Sequence, residues 1–392
     1  MIKFFFTLVF FYNTTHVYQY VHDKYSFQYE DWLINYSGGF VRRGFFGEFA
    51  IKIAESFNLD IQLVIFLFLI LLLALFYFKS YEIIKSLKSN LFIYLMIFSP
   101  LFYTFFLVNH GAGIRKEFIL FTFFAYLVSQ KRSNPQNDKM WLFSLFFPLM
   151  ILIYEPIIFY LPYFILFYLM IINNTNKKIY LFQIFITLIL SIIFALSSFK
   201  FHGTTEHVQQ ICLSLEDNVK EICTLYGAIY ELGQSLNVEL KDTIKQINIY
   251  SLFQWLLIIL YSYLPIFLIF ENSKSVKKNY RKIFALLLIF NFLLTVPLFI
   301  IAHDWGRWFS IHYHLTALLI LYLIKNKIIE IEDYFKNLES LFKKTLVVIL
   351  LVLYSSFFTP KVFNENDKKY FKSYNLNYLK INYSKILENI TH

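Results

Sequence analysis

Apolar residues in this chain come in long unbroken runs rather than in alternating or stripe-like patterns. The run IQLVIFLFLILLLALFYF (61–78) contains no charged residue. A segment of that length can cross the roughly 30 Å hydrocarbon core of a bilayer. Comparable runs recur, and the pattern predicts spans at 4–21, 61–79, 91–108, 118–129, 141–154, 157–172, 180–199, 251–270, 283–301, 309–324 and 345–358. The expected fold is all-α, a polytopic integral membrane protein with about 11 transmembrane helices in a single membrane domain over 1–392. No internal repeat is evident. The opening MIKFFFTLVFFY joins a charged start to an apolar run, and no small-residue cleavage site follows it. It reads as a retained first span.

The segment from Trp141 to Met170 decides the topology. As one straight helix it would be about 45 Å long, too long for the core. Its middle reads YEPIIF. Glu155 is costly in lipid, and Pro156 cannot continue the backbone ladder. Two short spans meeting at Glu155–Pro156 are expected, although 141–154 alone covers only about 21 Å. With the N-terminus cytoplasmic, the inner links become Lys79–Asn90, Gln130–Met140, Ile172–Ile179, Glu271–Lys282 and Lys325–Lys344, and all contain Lys. This agrees with the positive-inside rule. Merging the two spans would place the five basic residues of ENSKSVKKNYRK outside. The tail opposes the scheme, since it lies outside with six Lys after Pro360.

One larger outer segment remains, 201–250. Val208, Ile211, Cys212 and Leu215 follow helical spacing, as do Val219, Ile222, Cys223 and Tyr226. A small helical extracytoplasmic loop is expected. In one continuous helix Cys212 and Cys223 would be about 16 Å apart, whereas a disulfide needs Cα atoms within about 7 Å. The two can bond only if the chain turns back near Glu216–Asn218. An oxidising outer compartment permits this; two free buried thiols are the alternative.

Composition agrees with the pattern. The chain is 58% hydrophobic and 16% charged, with mean hydropathy +0.54. The net charge of +10 does not indicate nucleic acid as a partner, because the lysines sit mainly in short links between apolar runs.

Arginine and glycine are distributed differently. There are six arginines against thirty lysines, and Arg42, Arg43, Arg115 and Arg307 fall in predicted outer segments. Where only charge is needed, this sequence uses Lys. Arg adds a planar fork that holds phosphate or carboxylate oxygens bidentately. Seven of the ten glycines lie in SGGFVRRGFFGEF (Gly38, Gly39, Gly44, Gly47), NHGAGIRKEF (Gly111, Gly113) and HDWGRW (Gly306). With YEP, these stretches put four polar motifs on one expected face. Each also has a plain structural reading. The glycines suit turns and helix packing, and Arg42–Arg43 suit interfacial snorkelling. Arg115–Lys116 suit an interface anchor, Trp305 and Trp308 an aromatic belt, Asp304 and Arg307 an ion pair, and Glu155–Pro156 a capped kink.

The acidic partner is Glu30–Asp31, in the first outer loop. Adjacent carboxylates are often solvated surface. Beside phosphate-binding groups they suit a general base, Asp31 or Glu30, or a ligand for a divalent metal; no other cofactor is implied. His303, His312 and His314 without a second acidic cluster are a weak metal set. The expected lipid-phosphate and substrate-binding residues are Arg42, Arg43, Arg115, Arg307, Asp304, His303, Glu155, His110, Gly38 and Gly39.

A basic outer site at the lipid–water boundary fits a polyprenyl-linked sugar or oligosaccharide, with membrane lipid as the surrounding partner. A departing phosphate develops charge that Arg stabilises. An acidic pair in the first outer loop with about eleven spans resembles the GT-C type of membrane glycosyltransferase. WLINYSGGFVRRGFFGEF with HDWGRW resembles membrane proteins of bacterial surface-polysaccharide clusters, where O-antigen and capsule polymerases of the Wzy kind occur. That resemblance implies a bacterial inner-membrane enzyme joining lipid-linked repeat units on the outer face, with outer-loop arginines in its site. The chain departs from the larger members in that its outer loop 201–250 carries no Arg. The alternatives are a transferase adding one sugar from a polyprenyl monophosphate, a lipid-linked glycan flippase, and an acyltransferase using His110 or His303 as base. A flippase is expected to show repeats or interrupted helices with mid-membrane charges.

Overall fold

The computed structural model describes residues 2–22, 27–88, 90–130, 141–172, 177–215, 223, 227–234, 240, 241, 243, 244, 249–273, 278–302, 304–331 and 341–356. These form helices α1 (Ile2–His22), α2 (Phe27–Leu33), α3 (Gly44–Phe57), α4 (Ile61–Lys85), α5 (Leu91–Ile97), α6 (Phe105–Val108), α7 (Phe118–Ser129) and α8 (Trp141–Ile153). They continue with α9 (Leu161–Ile171), α10 (Lys177–Lys200), α11 (Thr205–Leu215), α12 (Ala228–Glu231), α13 (Ile249–Glu271), α14 (Lys278–Ile301), α15 (Trp305–Lys325) and α16 (Leu341–Ser356). The described residues contain no strand, only an isolated bridge between Ser273 and Ile331.

The all-α expectation holds, and the apolar helices are those of a membrane protein. Four of the described helices are long and apolar enough to cross a membrane: 61–85, 177–200, 252–271 and 305–325. Shorter apolar helices accompany them. In bilayer only helices and closed barrels satisfy their backbone polar groups internally, which is why runs of Leu, Ile and Phe become helices here.

Burial separates these helices. The apolar window of α10 is 28% buried, whereas that of α15 is 89% buried. Every residue of α15 from Trp305 to Leu323 is inside. It packs against α4, α7, α9, α13 and α14, and its polar side chains find partners there. His312 bonds Tyr163 Oη at 2.9 Å and Thr295 Oγ1 at 2.6 Å. His314 Nδ1 bonds the Ser310 carbonyl at 2.8 Å. Trp305 and Trp308, expected in an aromatic belt, are core residues, and Trp305 Nε1 donates to Phe299 O at 2.9 Å.

Two apolar runs are interrupted. The segment 91–108, expected as one span, ends its first helix at Ile97 and restarts at Phe105. Pro100 restricts Ser99 and supplies no N–H, so the ladder stops before it. The second interruption is the expected one. α8 ends at Ile153, Tyr154 is extended (φ −155°), and Glu155–Tyr160 form a 3₁₀ turn leading into α9. The first break offers its backbone to α15, where Ser310 Oγ donates to Leu101 O at 3.2 Å, and the second offers Tyr154, whose Oη accepts from Arg307.

Candidate functional site

The short helix α2 starts the site. Trp32 is buried and its Nε1 donates to the carbonyl of Ile114, at 2.5 Å. This ties α2 to the turn His110–Ile114. Gly47 permits the next approach, since a Cβ there would collide with the Ile34 carbonyl. α3 therefore packs directly on the chain leaving α2. Arg43, the residue before α3, has left-handed backbone (φ 67°). A non-glycine residue rarely adopts that conformation unless its surroundings hold it. Here Lys116 Nζ donates to the Arg43 carbonyl at 3.1 Å.

Five chain segments then meet in a cluster of charges. Arg43 donates from Nε to Glu155 Oε2 at 2.9 Å and from Nη2 to Glu155 Oε1 at 2.8 Å. Arg42 Nη1 reaches the same carboxylate at 3.3 Å. Asp31 Oδ1 lies 3.3 Å from Lys116 Nζ and 3.8 Å from Arg43 Nη1. Arg307 donates from Nε and Nη2 to Glu117 at 2.6 and 2.8 Å, from Nη2 to Tyr154 Oη at 2.6 Å, and from Nη1 to Asp304 at 2.8 Å. Arg115 Nη1 stands 3.8 Å from Asp304. Tyr154 joins the two halves, because the guanidinium carbons of Arg43 and Arg307 lie 5.1 and 5.0 Å from its ring centre. Among the described residues, five basic side chains face four carboxylates there.

The structure thus brings together Asp31, Arg42, Arg43, Arg115, Glu155, Asp304 and Arg307. The sequence reading missed Glu117 and Tyr154 and gave Lys116 only an anchoring role. A signal was present: three consecutive charges, Arg115–Lys116–Glu117, directly precede an apolar run. Charges there are tolerated in the interior only when paired.

Gly38 and Gly39 sit elsewhere. A Cβ on Gly38 would lie 2.9 Å from His207 Cα, so Gly38 receives α11 closely, and Gly39 (φ 105°) turns the chain beside it. Their role here is backbone approach, outside the charged cluster. His110 begins the 3₁₀ turn; its side chain and all of His303 lie outside the described residues. Cys212 and Cys223 are joined by a disulfide with Cα atoms 6.1 Å apart. The turn at 216–218 on which that pairing depends, and Val219, Ile222 and Tyr226, also lie outside the described residues. Among the described residues no three His, Cys, Asp or Glu side chains converge as a metal group.

Glu30 and Asp31 are both buried rather than solvated, yet their surroundings differ. Burial pushes the Glu30 carboxyl up to about 7, against the opposing pull of the Ile229 and Ala228 N–H groups. Its oxygens press on Gly227, where a Cβ would overlap them. For Asp31, burial also acts upward, but Lys116, Arg43 and Arg307 outweigh it and hold the carboxyl below its ordinary value. Burial pulls Lys116 down to about 8, with Asp31 drawing it the other way.

Arg307 and Arg43 also differ. Four of the five N–H donors of Arg307 are engaged by Glu117, Tyr154 and Asp304. The side chain is 7% exposed. Those of Arg42 and Arg43 are 14% and 22% exposed. Arg42 and Arg43 are therefore the most exposed arginines of the cluster. Comparison with family models, with curated proteins and with solved structures finds no match for this chain.

Proposed function

We propose that the chain is a membrane glycosyltransferase of the bacterial inner membrane, acting at its outer face on polyprenyl-(di)phosphate-linked glycans, as a surface-polysaccharide polymerase. The observation that carries this reading is one buried carboxylate, Asp31, paired with Lys116 and with Arg43, which shares Glu155 with the neighbouring Arg42. In the reaction, an acceptor sugar hydroxyl attacks the anomeric carbon of the lipid-linked glycan. The anomeric C–O bond to the diphosphate breaks, and the polyprenyl diphosphate departs with the electron pair. The hydroxyl proton passes to Asp31. Arg42 and Arg43 take up the charge that develops on the leaving group.

At rest Asp31 is a weak base, because Lys116 and Arg43 stabilise its charge. A diphosphate drawing Arg43 toward itself removes part of that field and strengthens the base. Substrate binding and base activation are thereby linked through one guanidinium.

The test is deletion of the gene followed by electrophoresis of the surface glycan. A polymerase mutant keeps a single repeat on its carrier and loses the long ladder. An unchanged ladder with an altered band mass identifies a single-sugar transferase instead. A second reading, a lipid-linked glycan flippase, is favoured by the two interrupted helices and the charge at the second break. Reconstituted vesicles that translocate a labelled isoprenyl-linked sugar without glycosyl transfer would establish it over the enzyme.

A further inference from the structure

Glu155 and the two arginines that grip it differ in what they show to their surroundings. The carboxylate is 6% exposed, whereas the Arg42 and Arg43 side chains are 14% and 22% exposed. Arg43 holds Glu155 by Nε at 2.9 Å and Nη2 at 2.8 Å, the fork geometry that also suits a phosphate. Arg42 is engaged less fully. Its contact is Nη1 at 3.3 Å, and its buried Nε has no acceptor among the described residues. Charge-assisted bonds of this kind ordinarily run about 2.7–2.9 Å. Among the described residues the surrounding cluster holds five basic and four acidic side chains. The carboxylate is also carried at the first residue of the 3₁₀ turn, between the extended Tyr154 and Pro156, rather than within an α-helix.

We propose that Glu155 is the resting occupant of an anion site made by Arg42 and Arg43, and that a phosphate-bearing ligand displaces it. This rests on the lipid-phosphate reading of the site but reverses one role within it. Glu155 competes with the ligand instead of helping to bind it. The Arg307–Glu117 pair provides the contrast. It is held by two bonds of 2.6 and 2.8 Å with Tyr154 and Asp304 completing it, and both side chains are under one-tenth exposed. That pair is a fixed part of the wall. An occupied site lowers the apparent affinity of its ligand by the fraction of molecules that stand open, so removing the occupant raises it.

The experiment is calorimetric titration of the purified full chain in detergent with two probes, inorganic pyrophosphate and farnesyl diphosphate. Glu155→Gln is expected to bind pyrophosphate at least about tenfold more tightly than the wild type. Arg43→Lys, which keeps the charge and loses the fork, is expected to bind about tenfold more weakly. Should Glu155→Gln fail to fold, Glu155→Asp keeps the charge on a shorter arm and is expected to tighten binding several-fold. Equal or weaker binding by the Glu155 variant that folds overturns the proposal, as does unchanged binding by Arg43→Lys. Equal gains for both probes assign the site to the phosphate itself; a gain for farnesyl diphosphate alone places the recognition in the lipid and overturns it. Tighter binding together with a normal glycan ladder in the deletion strain keeps the anion site and removes the glycan reading. A lost ladder without tightening does the reverse.

Discussion

Glu30 and Asp31 are neighbours on one short helix with the same functional group, and the fold gives them opposite properties. Successive residues of a helix point about 100° apart, so one carboxylate of α2 faces Gly227 and α12 while the other faces Lys116 and Arg43. Burial, with no cation paired to it among the described residues, drives Glu30 up to about 7. Burial with cations holds Asp31 down. A carboxyl pair in a sequence therefore fixes neither a base nor a surface patch. The face decides, and the face is set by what packs on each side of the helix. The same holds for Arg43 and Arg307. Both are bidentate on a glutamate, but one pair lines the accessible edge of the cluster and the other is sealed inside it.

The largest test of this contrast lies in the sealed pair. Glu117→Ala leaves Arg307 buried without its main partner, and such a break is expected to cost about 3–5 kcal/mol. Thermal unfolding in detergent should show it, and an apolar replacement of both residues should recover most of the loss. A Glu117→Ala variant as stable as the wild type would remove the distinction between wall and mouth.

Turnover separates the two acidic residues next. Asp31→Asn is expected to lower glycosyl transfer by about 10²–10⁴-fold, measured as repeat units joined per time. Glu30→Gln should leave it within a few-fold. The reverse outcome would exchange their roles.

The pH dependence of the loop sharpens the comparison further. The folded-state value of Glu30 is raised, so protonation favours the folded form. Its contribution is fully present below the ordinary value of 4.5 and is lost as pH rises through about 7. Hydrogen-exchange protection of α12, taken relative to the intrinsic exchange rate at each pH, should fall between pH 5 and pH 8, and Glu30→Gln should abolish that fall. A flat wild-type profile would mean that Glu30 does not hold the loop.

The smallest effect concerns Lys116. Replacing it with Met removes a charge that keeps Asp31 ionised, so the acid limb of the pH–rate profile should move to higher pH. Lys116→Arg should shift it less. An unmoved limb in Lys116→Met would show that Arg43 alone sets the charge state of Asp31.

Much of this arrangement is visible along the chain, and some of it is not. The helix break at Glu155 follows from two neighbouring residues, because proline lacks an N–H and a carboxylate is costly in lipid. The Gly–Arg stretch is legible as unusual, and Gly47 explains itself once α3 lies on Ile34. The aromatic residues of HDWGRW read as an interfacial belt because Trp favours that level; their burial follows from α15 being surrounded by other helices. Lys116 and Glu117 looked like charges flanking an apolar run, and their importance comes from partners far along the chain.

The sequence by itself determined the helical class, the membrane character and the places where the ladder must stop. These depend on hydropathy and on local backbone chemistry, which a short window contains. Only the tertiary structure decided which charge meets which. Arg43 finds Glu155 across 112 residues, and Arg307 finds Glu117 across 190. Those pairings arise because helix packing carries distant segments into one low-dielectric space, where a charge must be matched or excluded.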